Sequence, residues 1–273
     1  QQMRLSLDRM GDVLRAETEE IFRSDMAELE LVEGTVEFSH VSFHYPLESK
    51  LVLRDISFIV PAGSCVGIVG RAGSGKSTLA KLLTRLYEPT EGMISLAARN
   101  IAELSLPWLR KHVGMVLQQN GVFSGTVGEI IAGGQKQYSW ERVSAAAEMA
   151  AAADFIEDMP AGYDTVLGKE GVNLSAGQRQ RLAIARVLYQ NPRVLIFDEA
   201  SSALDNETEW QLRRNMRKIV QGRTVLIISH RLQMVRDCDF IIAMQDGKIV
   251  EQGRHEELLR NKGVYFNLWE CQE

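Results

Sequence analysis

The chain has 273 residues, 45% of them hydrophobic and 25% charged, with a formal net charge of -5. That balance supports one large α/β domain with a sizeable core and excludes bulk disorder, and its acidic sign argues against nucleic acid as the main partner, because phosphate neutralisation supplies much of duplex affinity. No apolar run approaches the ~18 residues of a bilayer span, no signal peptide stands out, and Cys65, Cys238 and Cys271 lack metal-ligand or C-x-x-C spacing, so the chain as it stands reads as soluble, with three reduced thiols.

Residues 1–31 form a charged, helix-prone segment without Pro, in which Leu7, Met10, Val13 and Leu14 make one apolar helical face. From Gly34 the pattern changes. Val36, Phe38, Val41 and Phe43 predict a strand with a bulge that ends at Tyr45-Pro46. Ile56, Phe58 and Val60 predict a second strand, closed by the turn Pro61-Ala62-Gly63. Cys65 to Val69 is a short apolar run, as in a strand buried on both faces. A glycine-rich loop follows, and Leu79, Leu82, Leu83 and Leu86 then sit at helical spacing. The stretch from Thr126 to Gln190 reads as mostly helical, including an Ala-rich run from Ala145 to Ala153. Val194–Phe197 and Val225–Ile228 predict buried strands with a helix over Glu207–Val220 between them. Asp246-Gly247 marks a hairpin, and the tail is helical. Helices alternating with apolar strands imply a mainly parallel sheet.

The loop Gly70-Arg71-Ala72-Gly73-Ser74-Gly75-Lys76-Ser77 fits G-x-x-x-x-G-K-[ST]. A triphosphate is dense in negative charge, so the loop must bring several backbone N–H groups close, and Gly73 and Gly75 permit that approach. A helix starting near Lys76, with Thr78 in its first turn, points its positive end at the phosphates. Lys76 is placed to reach the β- and γ-phosphates and the Ser77 hydroxyl to hold Mg²⁺. A merely flexible Gly/Ser loop would not explain the buried strand before it or the Leu-striped helix after it. The loop alone does not choose among nucleoside triphosphatases.

Further segments narrow the choice. Leu174-Ser175-Ala176-Gly177-Gln178-Arg179-Gln180-Arg181 opens a helix, and Val194-Leu195-Ile196-Phe197-Asp198-Glu199 follows it. Ser202-Ala203-Leu204-Asp205, Ile228-Ser229-His230, Val116-Leu117-Gln118 and Phe123-Ser124-Gly125-Thr126 complete the set. Spread across roughly residues 34–252 in the family's chain order, they resemble, respectively, the signature, Walker B, D-loop, switch histidine and Q-loop of ABC transporter ATP-binding domains, with the last segment following the Q-loop as in exporters. Tyr45 stands where that family places an adenine-stacking aromatic.

The resemblance implies a P-loop NTPase fold over residues 32–273. It has a mainly parallel core sheet, an N-terminal antiparallel β-subdomain and an inserted α-helical subdomain at about 119–190. It implies that Gly70, Arg71, Ala72, Gly73, Ser74, Gly75, Lys76, Ser77 and Thr78 cradle ATP, with Tyr45 against the base. Ser77, Gln118 and Asp198 would hold Mg²⁺, a hard cation suited to oxygen ligands. Glu199 would polarise the attacking water, assisted by His230 and Gln118. Ser175, Gly177, Gln178 and Asp205 would contact the ATP of a second copy, so that two domains close head-to-tail around two nucleotides. Asp8 to Leu14 resembles the linker after the last membrane helix of fused exporters. That implies a transmembrane domain preceding residues 1–31 and a place on the cytoplasmic face of the inner membrane.

Two departures stand out: Ala176 replaces the first Gly of the signature, and Lys169 stands where exporters often carry Glu. The alternative to an exporter is a soluble ABC-type ATPase in DNA repair or translation, but such proteins usually carry two of these domains or long coiled-coil inserts. A regulatory module without hydrolysis is disfavoured by the retained Lys76, Asp198, Glu199 and His230.

Overall fold

The computed structural model describes residues 10–11, 33–46, 48–117, 124–168 and 174–272. Apart from Met10 and Gly11 the expected linker lies outside the described residues, as do Gln118 and Lys169. Along the chain come β1 (Val36–Phe43), β2 (Leu53–Val60), β3 (Cys65–Gly70), α1 (Lys76–Leu83), β4 (Glu91–Leu96) and β5 (Arg99–Asn100). Then follow α2 (Leu106–His112), β6 (Val113–Val116), β7 (Gly125–Thr126), α3 (Val127–Ile131), α4 (Trp140–Met149), α5 (Ala153–Glu157), β8 (Val166–Leu167) and α6 (Ala176–Gln190). The remainder is β9 (Val194–Asp198), α7 (Asn206–Val220), β10 (Thr224–Ile228), β11 (Phe240–Gln245), β12 (Lys248–Gly253), α8 (His255–Asn261) and α9 (Val264–Glu270).

Two sheets organise these elements. The first is antiparallel, in the order β2-β1-β4-β5, and β1 carries the expected irregularity: its register shifts between Phe38 and Val41, with His40 at φ 52°. The second has the order β12-β11-β3-β10-β9-β6 and is parallel except for β12. The β11–β12 hairpin turns at Asp246 and Gly247, both with positive φ, as the two-residue loop requires.

The parallel strands are apolar on both faces because each face is covered. Cys65 and Val69 of β3, Leu195 and Phe197 of β9, and Val225 and Ile227 of β10 enter a core shared with α6 and its neighbouring helices. Val66, Ile68, Val194, Ile196, Leu226 and Ile228 enter a second core with α1 and the antiparallel sheet. The period of two thus splits each run between two cores.

Two local readings are corrected. The Ala-rich run is not one helix: α4 ends at Met149, Ala151 adopts φ 54°, and α5 begins at Ala153. Tertiary donors hold that break. Arg181 Nη1 donates to the Ala151 carbonyl at 2.8 Å, and Asn215 Nδ2 donates to those of Glu148 and Met149 at 3.0 and 3.1 Å. Leu86 lies past α1 and is half-exposed, because Arg85 turns the chain at φ 48° and Leu86 N–H returns to the Lys81 carbonyl at 2.9 Å. Two of the thiols, 173 residues apart, meet: Cys65 Sγ lies 3.2 Å from Cys238 Sγ, and that contact together with burial pushes the Cys238 thiol up, so it stays protonated. All three cysteines are free.

Candidate nucleotide-binding site

The site is assembled at the C-terminal ends of three adjacent parallel strands, where an open α/β sheet collects its ligands. β3 runs into the phosphate loop, β9 ends at Asp198 with Glu199 following, and β10 leads to Ser229 and His230. The register brings these together: Ile68 pairs with Ile228, and Ile228 pairs with Asp198.

The loop is tightly held. Gly70 has φ 151°, and a Cβ there would stand 2.3 Å from the Met244 carbonyl oxygen. Gly75 caps α1 at φ 97°, where a Cβ would stand 2.7 Å from Leu53 Cδ2. No L side chain fits either position without displacement, which is why glycine occupies both. Lys76 is buried, and its Nζ donates to the carbonyls of Gly70 and Arg71 at 2.8 and 3.0 Å. Burial lowers its pKa, while Glu199 and Asp198 pull in the other direction.

Ser77 Oγ donates to Asp198 Oδ1 at 2.8 Å. Asp198 is buried, and desolvation raises its pKa above the ordinary carboxylate value, against the Ser77 bond and the nearby lysines. These two oxygens are a donor set that fits Mg²⁺, which binds through one or two protein oxygens plus waters and phosphate oxygens. No group of three or more His, Cys, Asp or Glu that could hold a metal ion occurs among the described residues.

Glu199 adopts the left-handed conformation, φ 52°. In this geometry its Oε2 lies 2.5 Å from His230 Nδ1 and accepts the His230 backbone N–H at 3.3 Å. A carboxylate oxygen is thereby fixed to an imidazole at the edge of the phosphate loop. Tyr45 completes the other edge. Its ring meets Phe43 and Tyr87 edge-on, at 5.0 and 5.1 Å, and its hydroxyl lies 3.0 Å from Thr78 Oγ1. Tyr45, Ala72, Gly73, Gly75, Lys76, Ser77, Thr78, Glu199 and His230 line one cavity of about 570 Å³.

The signature residues and Asp205 do not line that cavity. Ser175 caps α6 in a reciprocal box: its Oγ accepts the Gln178 N–H at 3.1 Å, and Gln178 Oε1 accepts the Ser175 N–H at 2.9 Å. Gly177 packs against the D-loop, where an added Cβ would stand 3.0 Å from the Ala203 carbonyl oxygen. Asp205 caps α7, accepting the Thr208 N–H at 2.8 Å and its hydroxyl at 3.1 Å, and the first of these bonds holds its carboxyl below the ordinary value. Ser175 and Ala176 are exposed at the tip of α6. Gln180 belongs to the signature segment but has no role in its motif. Its side chain is buried and joins the Glu199 carbonyl to the Ala203 N–H at 3.2 and 3.1 Å, pairings visible only in three dimensions.

A glycine-framed loop between a buried strand and a helix, with a carboxylate at the end of a parallel strand beside it, defines a P-loop nucleoside triphosphate-binding domain. Residues 53–202 match the family described as ABC transporter. The chain is 46% identical over all 273 residues to the leukotoxin export ATP-binding protein LtxB of Aggregatibacter actinomycetemcomitans. It is equally similar, at 46% over the same 273 residues, to the toxin RTX-III translocation ATP-binding protein of Actinobacillus pleuropneumoniae. It spans about 38% of the length of each. A solved structure of a bacterial Atm1-family ABC exporter with ATP bound superposes over 99% of this chain and 48% of that one, with a TM-score of 0.90 at 40% identity. The chain belongs to the ABC transporter family, as an ATP-binding domain of the exporter type.

Proposed function

We propose that the chain is the ATP-hydrolysing motor of an exporter. Two copies close head-to-tail around two MgATP and drive a cargo across a membrane. The observation that carries this reading is the division of the site. The cavity gathers Tyr45, the phosphate loop, Glu199 and His230, while the capped tip of α6 stands exposed outside it. A helix N-terminus with free N–H groups is a site for an anion, and in this arrangement it serves the phosphates held by the second copy.

In this reading the loop amides and Lys76 grip the phosphate chain, and Tyr45 offers its ring to the base. Ser77 and Asp198 would hold Mg²⁺, with Gln118 as a further oxygen ligand, and the chemistry that ion would supply is neutralisation of phosphate charge. Glu199 orients the attacking water and accepts its proton, and His230 fixes the carboxylate and reaches the γ-phosphate. Ser175, Gly177, Gln178 and Asp205 act at the second copy's nucleotide. ATP adds contacts across the pair that separated domains lack, and hydrolysis removes them.

Residues 1–31 link the domain to a membrane-spanning part on the cytoplasmic side. No helix among the described residues is long and apolar enough to cross a membrane itself. Relatives named for leukotoxin export and toxin RTX-III translocation support a toxin as the cargo.

The test is Glu199→Gln. The variant binds ATP with wild-type affinity, loses at least a hundred-fold in turnover, and accumulates as a dimer with MgATP on gel filtration. Turnover at the wild-type rate removes Glu199 from this role.

A further inference from the structure

We propose that Gln180 is a positioning residue: from the signature helix it sets the backbone of the hydrolytic Glu199 and of the D-loop together. The proposal rests on the reading that Glu199 is the hydrolytic carboxylate and that the tip of α6 serves a second copy.

Gln180 is 2% exposed, and both ends of its amide are used. Nε2 donates to the Glu199 carbonyl at 3.2 Å, and Oε1 accepts the Ala203 N–H at 3.1 Å. The partners fix the amide's orientation. A carbonyl can only accept and a backbone N–H can only donate, so the nitrogen must face Glu199 and the oxygen must face Ala203.

What Gln180 holds is a strained point. Glu199 is a non-glycine residue at φ 52°, a conformation that persists only where surrounding bonds enforce it. Its N–H donates to the Ile228 carbonyl at 2.9 Å, and its carbonyl accepts from Ser202 N–H at 3.1 Å and from Gln180. That conformation is what delivers Oε2 to His230. No other side chain bonds to the Glu199 backbone among the described residues.

The same helix touches the D-loop twice. Gln180 binds the Ala203 N–H, and Gly177, one turn earlier, packs against the Ala203 carbonyl. Ser175 caps the helix five residues before Gln180. A shift of the tip of α6, as when it meets a phosphate chain, is therefore passed through one rigid turn to the Glu199 carbonyl. The contact made for the second copy's nucleotide is thereby linked to the carboxylate that works on this copy's own. Gln180 touches neither nucleotide and acts only through Glu199 and Ala203.

The experiment compares Gln180→Met, which keeps the volume and loses both bonds, with Gln180→Glu, which keeps an acceptor for Ala203 and loses the donor to Glu199. Thermal melting, ATP affinity, KM and kcat are measured for the 273-residue chain, with Glu199→Gln as control. The expected result is a melting point within a few degrees of wild type, ATP affinity and KM within two-fold, and kcat at least ten-fold lower in both variants. A folded variant with wild-type kcat overturns the proposal, and so does a KM that rises in step with the fall in kcat. Loss of the folded state in both variants also overturns it, because the bonds would then be structural alone. The control separates this failure from failure of the underlying reading. An inactive Glu199→Gln beside a fully active Gln180→Met sinks only the positioning role, whereas an active Glu199→Gln sinks both.

Discussion

Asp198 sits at the tension between folding and function. Its carboxyl is buried at the end of β9, and burial raises its pKa although Ser77 donates to it. A carboxyl whose folded pKa lies above its unfolded value binds its proton more tightly in the folded state. The resulting penalty is absent below the unfolded pKa and complete above the folded one, so stability falls as pH rises through that window. Asp198→Asn keeps an acceptor for Ser77 and removes the titration. Without nucleotide it should melt higher than wild type at neutral pH, with the gain vanishing below the carboxylate range. A lower melting point at neutral pH would contradict this account of the site. The variant's weakened response to Mg²⁺ would report the other side of the same tension, since a hard cation needs the ionised carboxylate.

At the scale of elements, α6 does several jobs with neighbouring residues. Ser175 and Gln178 cap its start, Gln180 faces the D-loop, and Arg181 reaches the break between α4 and α5. The Arg181 guanidinium lies 4.4 Å from the Phe155 ring centre and donates to the Ala151 carbonyl, and burial lowers its pKa. Arg181→Ala strands that carbonyl, which costs about 1–3 kcal/mol. The melting point should fall by several degrees with ATP affinity unchanged, and an unchanged melting point would remove Arg181 from this role.

What the sequence made legible follows from the same elements. The phosphate loop, Asp198-Glu199 and His230 sit at ends of apolar runs, where local pattern and local chemistry coincide, so their placement could be read directly. The break at Ala151 could not, because alanines favour helix and the donors that end it come from Arg181 and Asn215 on other helices. Gln180 was hidden for a similar reason: its partners lie 19 and 23 residues away. Asp205 also caps α7 through both carboxylate oxygens, a local contact that the motif pattern does not show.

For the whole molecule, the architecture separates what grips a nucleotide from what closes over one. The parallel sheet places three loops side by side over one cavity, and the capped helix tip faces solvent elsewhere. Completion of the site by a second copy is the central claim, and it requires that damage to the helix tip spare binding and abolish closure. The direct measurement is sedimentation velocity of Glu199→Gln with MgATP, with and without Ser175→Arg, using Ser175→Ala to allow for the lost cap, which costs about 1 kcal/mol. The account predicts that Glu199→Gln sediments as a dimer. Addition of Ser175→Arg should leave it monomeric while each copy still binds ATP with unchanged affinity. A dimer that persists with Ser175→Arg, or an ATP affinity that falls in the monomer, would contradict it.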